Sequence, residues 1–296
     1  MSVLRWETDG RNWPNRAASR FIETPKLTWH VQVMGAGPAL LLLHGTGAAS
    51  HSWRDLMPLL APDFTVIVPD LPGHGFTRGR PAGGLTLQGM ARALADLLAA
   101  LDQQPVLIAG HSAGAAIALQ TVCDSALAVP VIGFNPALMP FPGLAARIFP
   151  QLAKMLFINP FVPRIFAATA RRAGEPKQFL EKATGSKIGV AGISHYATLL
   201  GNHHHCGGAL EMMANWDLEA LSAMLPDVAN RVLLVHSNRD SAVPLASVEK
   251  AARILPHCTL EVLPSLGHLA HEEQPETAAA LIREFVGRAD NGEGMA

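Results

Sequence analysis

The chain has 296 residues, carries a formal net charge of -1, and is 49% hydrophobic and 16% charged. This length suits one large domain or one domain with an insertion, and the apolar content argues against a largely disordered protein. The sequence contains no basic tract typical of nucleic-acid binding. It also has no run of about 18 uncharged apolar residues, which would predict a membrane span.

The start of the chain and its cysteines bear on its compartment. Residues 1–16 contain no apolar segment of the kind found in secretory signals. The three cysteines, Cys123, Cys206 and Cys258, are odd in number and widely spaced, which argues against a disulfide framework. We therefore expect a cytoplasmic protein with reduced, buried thiols.

Short apolar runs recur along the chain, and most are followed by a turn and a helix-like segment. The first two runs, Ser19–Glu23 and Leu27–Met34, predict an antiparallel pair. Six later runs are apolar throughout, which indicates strands buried on both faces of a parallel sheet. They are Ala39–Leu43, Phe64–Pro69, Val106–Ala109, Val129–Phe134, Val232–His236 and Thr259–Leu263. With helical spacing in Leu85–Leu101 and Glu276–Val286, the alternation predicts an α/β fold with a mostly parallel eight-stranded sheet.

One interval breaks this alternation. No buried strand is evident between Phe134 and Val232, and a structureless loop of that length is improbable in a compact domain. We expect residues 136–226 to form a helical cap over a core domain made of residues 1–135 and 227–296.

The strongest local signal is the sequence GHSAG at residues 110–114. It lies between a predicted buried strand and an Ala-rich helical segment, which is the strand–turn–helix context of a G-x-S-x-G nucleophile elbow. The sharp turn forces Ser112 into strained backbone angles and leaves no room for side chains at Gly110 and Gly114. Ser112 is therefore the candidate nucleophile.

A serine hydroxyl needs a base, and the base needs an orienting acid. Asp240 follows the strand Val232–His236, and His268 follows the last predicted strand, which gives the order Ser…Asp…His typical of this elbow. We favour His268 over two other histidines, because it follows a turn glycine. We favour Asp240 over two other aspartates, because neither rival follows a strand. These rivals are His111, His271, Asp217 and Asp227; Asn135 follows a strand, but an amide cannot serve as the acid.

The sequence HGTG at residues 44–47 follows the strand Ala39–Leu43. In a fold with this elbow, such a loop supplies one backbone N–H to an oxyanion hole, and the residue after the nucleophile supplies the other. We assign these two donors to Thr46 and Ala113. We expect His44 to brace the loop through hydrogen bonds.

These motifs together resemble the α/β-hydrolase superfamily across nearly the whole chain. In order, they read HGTG, DLPGHG, GHSAG, NRD and GH. A narrower set resembles the magnesium-chelatase accessory proteins of bacteriochlorophyll biosynthesis. It comprises WPNRAASRF, LTWHVQVMG, LLLLHGTGAASHSWRDLMP, DLPGHGFT, GHSAGAA, TGS, EMMANWDL and GHLAHEEQP. This resemblance implies a role near the insertion of Mg²⁺ into protoporphyrin IX, with magnesium-chelatase subunits as partners, but it defines no reaction.

The predicted cap has an unusual charge balance. Residues 136–174 contain five basic side chains and no acidic one, which leaves a net charge of -6 on the rest of the chain. Three interpretations stay open: a pocket for a flat hydrophobic ligand with carboxylates such as a tetrapyrrole, a peripheral membrane contact, or ordinary packing with a solvated basic face. The five side chains are Arg147, Lys154, Arg164, Arg171 and Arg172.

No pattern predicts a cofactor or a metal site. The consecutive histidines at residues 203–205 point in different directions on a helix or a strand, so they do not easily share one ion. Two functions compete. The first is a serine hydrolase that cleaves an ester or a related acyl bond, and the second is a non-catalytic porphyrin-binding or chelatase-assisting protein. The intact set of Ser112, Asp240 and His268 favours the first.

Overall fold

A computed structural model describes residues 3–125, 127–140, 161–170, 172 and 174–290 of the chain. Its strands form one sheet with the spatial order β1-β2-β4-β3-β6-β7-β8-β9. From β4 onward in this order all neighbours are parallel, whereas β2 is antiparallel to both β1 and β4. The strands are β1 (Ser19–Thr24), β2 (Leu27–Met34), β3 (Ala39–Leu43), β4 (Thr65–Pro69), β5 (Arg78–Gly79), β6 (Pro105–His111), β7 (Val131–Phe134), β8 (Val232–Ser237) and β9 (Cys258–Leu263).

The structure adds one strand to the predicted eight. Strand β5 has two residues and pairs with the start of β2 through Thr28 and Arg78. Such a short strand with an arginine and a glycine gives no apolar signal, so the sequence does not reveal it. The expectation that every apolar run is buried on both faces is wrong for β9. That strand is the sheet edge, and most of its side chains are exposed or half-buried.

Helices cover both faces of the sheet. Alternate side chains of the central strands enter two separate hydrophobic cores, because successive residues of a strand point to opposite faces. Leu41 and Leu43 lie in the core with helices α2, α3 and α9, whereas Leu40 and Leu42 lie in the core with α1 and α11. The core-domain helices are α1 (Leu56–Leu60), α2 (Leu87–Ala100), α3 (Ala113–Ser125), α9 (Leu245–Ile254), α10 (Ala270–Glu273) and α11 (Pro275–Asp290).

In the described part of the interval between β7 and β8, five further helices occur. They are α4 (Val162–Ala170), α5 (Glu175–Thr184), α6 (Val190–Leu200), α7 (His203–Ala214) and α8 (Leu218–Met224). The described residues of this interval contain no strand, as the sequence predicts. The exact boundaries 136 and 226 of the cap remain a prediction. Three of its five basic residues, Arg147, Lys154 and Arg171, lie outside the described residues.

None of the helices in the described part of the chain combines the length and the apolar character that crossing a bilayer requires.

Candidate active site

Ser112 occupies a sharp turn between β6 and α3. Its φ is +52°, in the left-handed region that non-glycine residues rarely adopt, and its N–H donates to the carbonyl of Phe134 at 2.9 Å. A Cβ added to Gly110 would lie 2.3 Å from the nitrogen of Ala115, and one added to Gly114 would lie 2.2 Å from the carbonyl oxygen of Leu43. Both glycines are therefore required by backbone crowding.

His268 and Asp240 meet at the carboxyl end of the sheet. His268 Nδ1 lies 2.7 Å from Asp240 Oδ2, and both residues come from loops that follow parallel strands, β9 and β8. Since an ionised carboxylate is only an acceptor, Nδ1 carries the proton. The other ring nitrogen, Nε2, takes no part in this bond and is the atom available to act as a base.

Both oxygens of the Asp240 carboxylate accept two hydrogen bonds each. Oδ1 accepts the N–H groups of Ala242 at 2.7 Å and Val243 at 2.9 Å, and Oδ2 accepts the side-chain amide of Asn135 at 2.8 Å in addition to His268. Burial alone would raise the pKa of Asp240, but these hydrogen bonds and the charge of His268 outweigh burial and lower the pKa below its usual value. Asp240 therefore stays ionised.

Asn135 is oriented for this contact. It follows β7, it is completely buried, and its φ is +46°. Ser237 Oγ donates to Asn135 Oδ1 at 3.2 Å, which turns the amide nitrogen toward Asp240. The interpretation that Asn135 is not the acid agrees with this arrangement, and the amide gains a supporting role instead.

The elbow and the His268 loop are in direct contact. The ring of His111, the residue before Ser112, lies 4.6 Å from the ring of His268, and His111 Nε2 donates to the His268 carbonyl oxygen at 2.9 Å. Ser112 is half-buried, and its hydroxyl makes no hydrogen bond to any described residue. Among the described residues, Ser112 and His268 therefore share no direct hydrogen bond, although the segments that carry them are in contact.

The rival residues have other partners. His271 is buried, its Nε2 lies 2.9 Å from Ser52 Oγ, and burial together with the charge of His268 holds its pKa well below the usual value. Asp217 caps helix α8 by accepting the N–H of Ala220 at 3.0 Å. Asp227 lies in a short 3-10 helix between α8 and β8. None of these side chains contacts Ser112 among the interactions of the described residues.

The predicted oxyanion loop lies beside the elbow. A Cβ on Gly45 would lie 3.2 Å from the Cβ of Ser112, and the described residues offer no hydrogen-bond acceptor to the N–H groups of Thr46 and Ala113. His44 Nδ1 donates to the carbonyl of Gly45 at 2.8 Å, and its Nε2 accepts the N–H of Leu71 at 2.9 Å. These bonds agree with the bracing role expected of His44.

A second histidine supports the same loop from the cap. His205, on α7, donates from Nε2 to the carbonyl of Gly47 at 3.0 Å and accepts the N–H of Gly75 at its Nδ1 at 3.1 Å. Burial lowers the pKa of His205 to about 4, so it is neutral at pH 7. Over the described ranges, no cluster of three or more His, Cys, Asp or Glu side chains is arranged to hold a metal ion.

The chain belongs to the Alpha/beta hydrolase family, which residues 40–281 match. It is 40% identical over 281 residues to the Magnesium-chelatase 30 kDa subunit of Rhodobacter capsulatus, covering 93% of this chain and 96% of that protein. The predicted resemblance to magnesium-chelatase accessory proteins is therefore confirmed. The chain is also 31% identical over 262 residues to the Pimeloyl-[acyl-carrier protein] methyl ester esterase of Aromatoleum aromaticum, with 84% and 98% of the two chains covered.

Solved structures agree with the fold. A thermophilic esterase from Thermogutta terrifontis superposes with a TM-score of 0.71 at 23% identity, covering 91% of this chain and 98% of the other. At that identity the likeness concerns the fold alone.

Sequence reasoning missed the supporting side chains. The local sequence does not identify the partners of Asn135 and His205, because those partners lie 105 and 158 positions away along the chain. The position of Asn135 directly after a strand was the one available signal, since strand ends converge at this edge of the sheet.

Proposed function

We propose that this chain is a serine hydrolase of esterase type. The observation that carries the proposal is the hydrogen-bonded pair His268 and Asp240, held in contact with an elbow that presents Ser112 in a left-handed backbone conformation. A buried, fully hydrogen-bonded carboxylate that orients an imidazole beside a serine turn is the arrangement that activates a hydroxyl for attack.

The proposed reaction has two halves. His268 Nε2 removes the proton of Ser112 as Oγ attacks the carbonyl carbon of an ester, and the N–H groups of Thr46 and Ala113 stabilise the oxyanion. The tetrahedral intermediate collapses, the alcohol leaves with the proton from His268, and an acyl-enzyme remains. Water then attacks with His268 again as base, releasing the acid and restoring Ser112.

The names of two relatives support the substrate class that we propose. A relative named as a methyl ester esterase supports a carboxylic ester as the bond cleaved, and a relative named as a magnesium-chelatase subunit supports a role near the magnesium-chelatase step of bacteriochlorophyll biosynthesis. We propose a small hydrophobic substrate, with a tetrapyrrole as the specific candidate, and a cap formed by residues 136–226 that selects it. Chelatase subunits are the proposed partners and the cytoplasm is the proposed location.

The cap also supports a proposed peripheral membrane contact. Phe161 and Ile165 are 62% and 64% exposed on either side of Arg164, whose guanidinium lies 6.0 Å from the Phe161 ring centre. An apolar surface with a cation beside it suits an anionic bilayer. Sedimentation with anionic vesicles tests this contact: we expect binding that Arg164→Glu weakens, and no binding would refute it.

Hydrolysis of p-nitrophenyl esters of graded acyl length tests the proposed chemistry. We expect turnover by the native chain and a loss of about 10⁴-fold or more in Ser112→Ala, as for removal of other triad serines. Ser194→Ala is the matched control, because Ser194 is exposed on α6 and should keep full activity. An unreactive native chain, assayed beside an active esterase, would contradict the proposal.

The name of the chelatase relative favours a second candidate, a non-catalytic porphyrin-binding or chelatase-assisting role. Complementation separates the two. In a phototrophic strain lacking this gene, the hydrolase role predicts that the native chain restores bacteriochlorophyll and Ser112→Ala does not. Full restoration by Ser112→Ala, with saturable quenching of tryptophan fluorescence by protoporphyrin IX, would favour the binding role.

A further inference from the structure

The end of helix α5 and the loop after it touch both loops that carry the candidate acid and base. This segment is Thr184, Gly185 and Ser186, which we call the cap turn. Thr184 and Ser186 are 9% and 2% exposed, so the cap turn is buried although it belongs to the interval between β7 and β8.

The first contact of the cap turn is with the His268 loop. The carbonyl of Thr184 accepts the N–H of His268 itself at 2.7 Å, and Ser186 Oγ accepts the N–H of Leu269 at 2.8 Å. The cap turn thus fixes the backbone on both sides of the candidate base's α-carbon.

The two segments also lie as close as backbones allow. A Cβ added to Gly267 would lie 2.4 Å from Ser186 Oγ and 2.5 Å from the nitrogen of Ser186. The carboxylate of Glu273 joins them further, accepting the N–H of Gly267 at 2.8 Å and that of Lys187 at 3.2 Å. A glycine at 267 is therefore required for the approach.

The second contact of the cap turn is with the Asp240 loop. Gly185 has a φ of +68°, and a Cβ added there would lie 2.2 Å from the carbonyl oxygen of Arg239, the residue before Asp240. Ser241 Oγ reaches the carbonyl of Lys182 at 3.5 Å. The cap turn therefore packs against both loops whose side chains form the His268–Asp240 hydrogen bond.

The cap turn is itself fixed by a side chain. Thr184 Oγ1 donates to the carbonyl of Leu180 at 2.6 Å and accepts the N–H of Ser186 at 3.1 Å. This one hydroxyl links the last turn of α5 to the backbone of Ser186, the residue whose Oγ accepts the N–H of Leu269.

From these contacts we infer that Thr184 and Ser186 are positioning residues of the active site: the cap turn holds the backbone of His268 and the loop of Asp240 in register. The inference rests on the proposed hydrolase function and deepens it. It implies that this end of the cap is a fixed part of the catalytic apparatus, and that the cap does not swing away from the His268 loop during turnover.

Two substitutions test the inference. Ser186→Ala leaves the buried N–H of Leu269 without its acceptor, and Thr184→Val replaces a hydroxyl by a methyl group of similar shape. We expect each to lower kcat by about tenfold with KM changed less than about twofold, because displacement of a catalytic group affects the reacting geometry and not the binding of the ester. Thr184→Ser keeps the hydroxyl and should restore kcat, and Ser194→Ala should behave as native.

Active-site titration separates positioning from folding. The fraction of each variant labelled at completion by a fluorophosphonate gives the competent sites, and kcat is expressed per labelled site. A purely structural role lowers the labelled fraction but leaves kcat per site unchanged, whereas positioning lowers kcat per site. Hydrogen exchange of residues 264–271 should be faster in Ser186→Ala and native-like in Ser194→Ala.

The outcomes are distinct. Native kcat per labelled site in both Ser186→Ala and Thr184→Val would overturn the positioning role while leaving the proposed function intact. A native chain that neither labels nor hydrolyses esters would overturn the proposed function, and the positioning role with it. A kcat lowered equally in Thr184→Val and Thr184→Ser would overturn the positioning role of the Thr184 hydroxyl.

Discussion

Asn135 donates a hydrogen bond to the same oxygen of Asp240, Oδ2, that accepts the hydrogen bond from His268 Nδ1. Substitution of this buried amide therefore tests its part in the site. Asn135→Asp keeps the shape but places a second carboxylate against Asp240. Since two carboxylates that close cannot both stay ionised, the pair should retain one proton to a higher pH. We expect kcat/KM at pH 7 to fall at least about tenfold and its acid limb to move to higher pH.

A pH profile of ester hydrolysis measures this effect. The matched control is Asn215→Asp, the same change at an exposed residue after α7, which should keep the native profile. An unchanged profile in Asn135→Asp would refute the supporting role of the amide.

Among the individual residues of the site, the sequence predicts those that lie in a recognisable local motif. Ser112 lies in an elbow with two obligatory glycines, and Asp240 and His268 each follow a strand, so all three are predictable as candidates from spacing alone. Asn135, His205 and Ser186 act through contacts that only the folded chain creates, between residues 83 to 158 positions apart.

Helix α7 connects the cap to the predicted oxyanion loop. It lies close to the loop after β4, since a Cβ on Gly208 would lie 1.9 Å from the carbonyl of Gly73, and this approach lets His205 reach both Gly47 and Gly75. His205→Ala removes both hydrogen bonds. We expect kcat for ester hydrolysis to fall about tenfold and the Tm to drop by several degrees.

The neighbouring histidine gives the control for α7. His204 is exposed, so His204→Ala should leave kcat and Tm near the native values. Steady-state kinetics and thermal unfolding monitored by circular dichroism decide the comparison. Equal behaviour of the two variants would mean that α7 does not support the oxyanion loop.

The elements themselves were predictable to different degrees. The central strands are apolar throughout and short, so their positions follow from composition, and only their ends shift by one or two residues. β5 is too short to leave a pattern, and β9 is apolar enough to resemble a buried strand although it lies at the sheet edge. The cap interval predicts helices, but its scattered apolar residues and glycines do not mark where each of them begins and ends.

The whole molecule carries many buried, neutral histidines. Burial is the main cause of a lowered pKa at each of eight histidines, and for His205 the value is about 4. They are His44, His51, His74, His111, His195, His205, His236 and His271. Both ring nitrogens of His51 are buried, and neither has a hydrogen-bond partner among the described residues.

These histidines make the stability of the fold depend on pH. A histidine whose pKa is lower in the folded state binds protons more readily when unfolded, so its contribution is complete above about pH 6.5 and is lost as the pH falls toward the folded pKa. For His205 alone this loss is about 3 kcal/mol by pH 4. Glu272 acts in the opposite sense, because burial raises its pKa, but it is a single group.

We therefore expect the free energy of unfolding to fall steeply between pH 6.5 and pH 4. Urea denaturation at pH 7.0, 6.0 and 5.0 measures it, with the midpoint moving to lower urea at each step. A midpoint that stays constant over this range would contradict the lowered pKa of these histidines in the folded state.

The topology of the molecule as a whole follows from the order of its motifs. Strand ends that carry loops with Ser112, Asp240 and His268 converge at one edge because parallel strands share a direction. What the sequence does not determine is how the cap meets this edge. That depends on close backbone contacts at Gly185, Gly208 and Gly267, and the sequence around these glycines does not show which backbone each one approaches.

Reaction of the native chain with a fluorophosphonate, followed by intact mass and peptide mapping, shows whether Ser112 is an activated nucleophile. We expect one adduct per chain, located on Ser112, absent from Ser112→Ala and formed at least about 10²-fold more slowly in His268→Gln. Ser194→Ala should label like the native chain. Absence of any adduct on Ser112, while a known serine esterase in the same mixture labels fully, would contradict the assignment of Ser112 as the nucleophile.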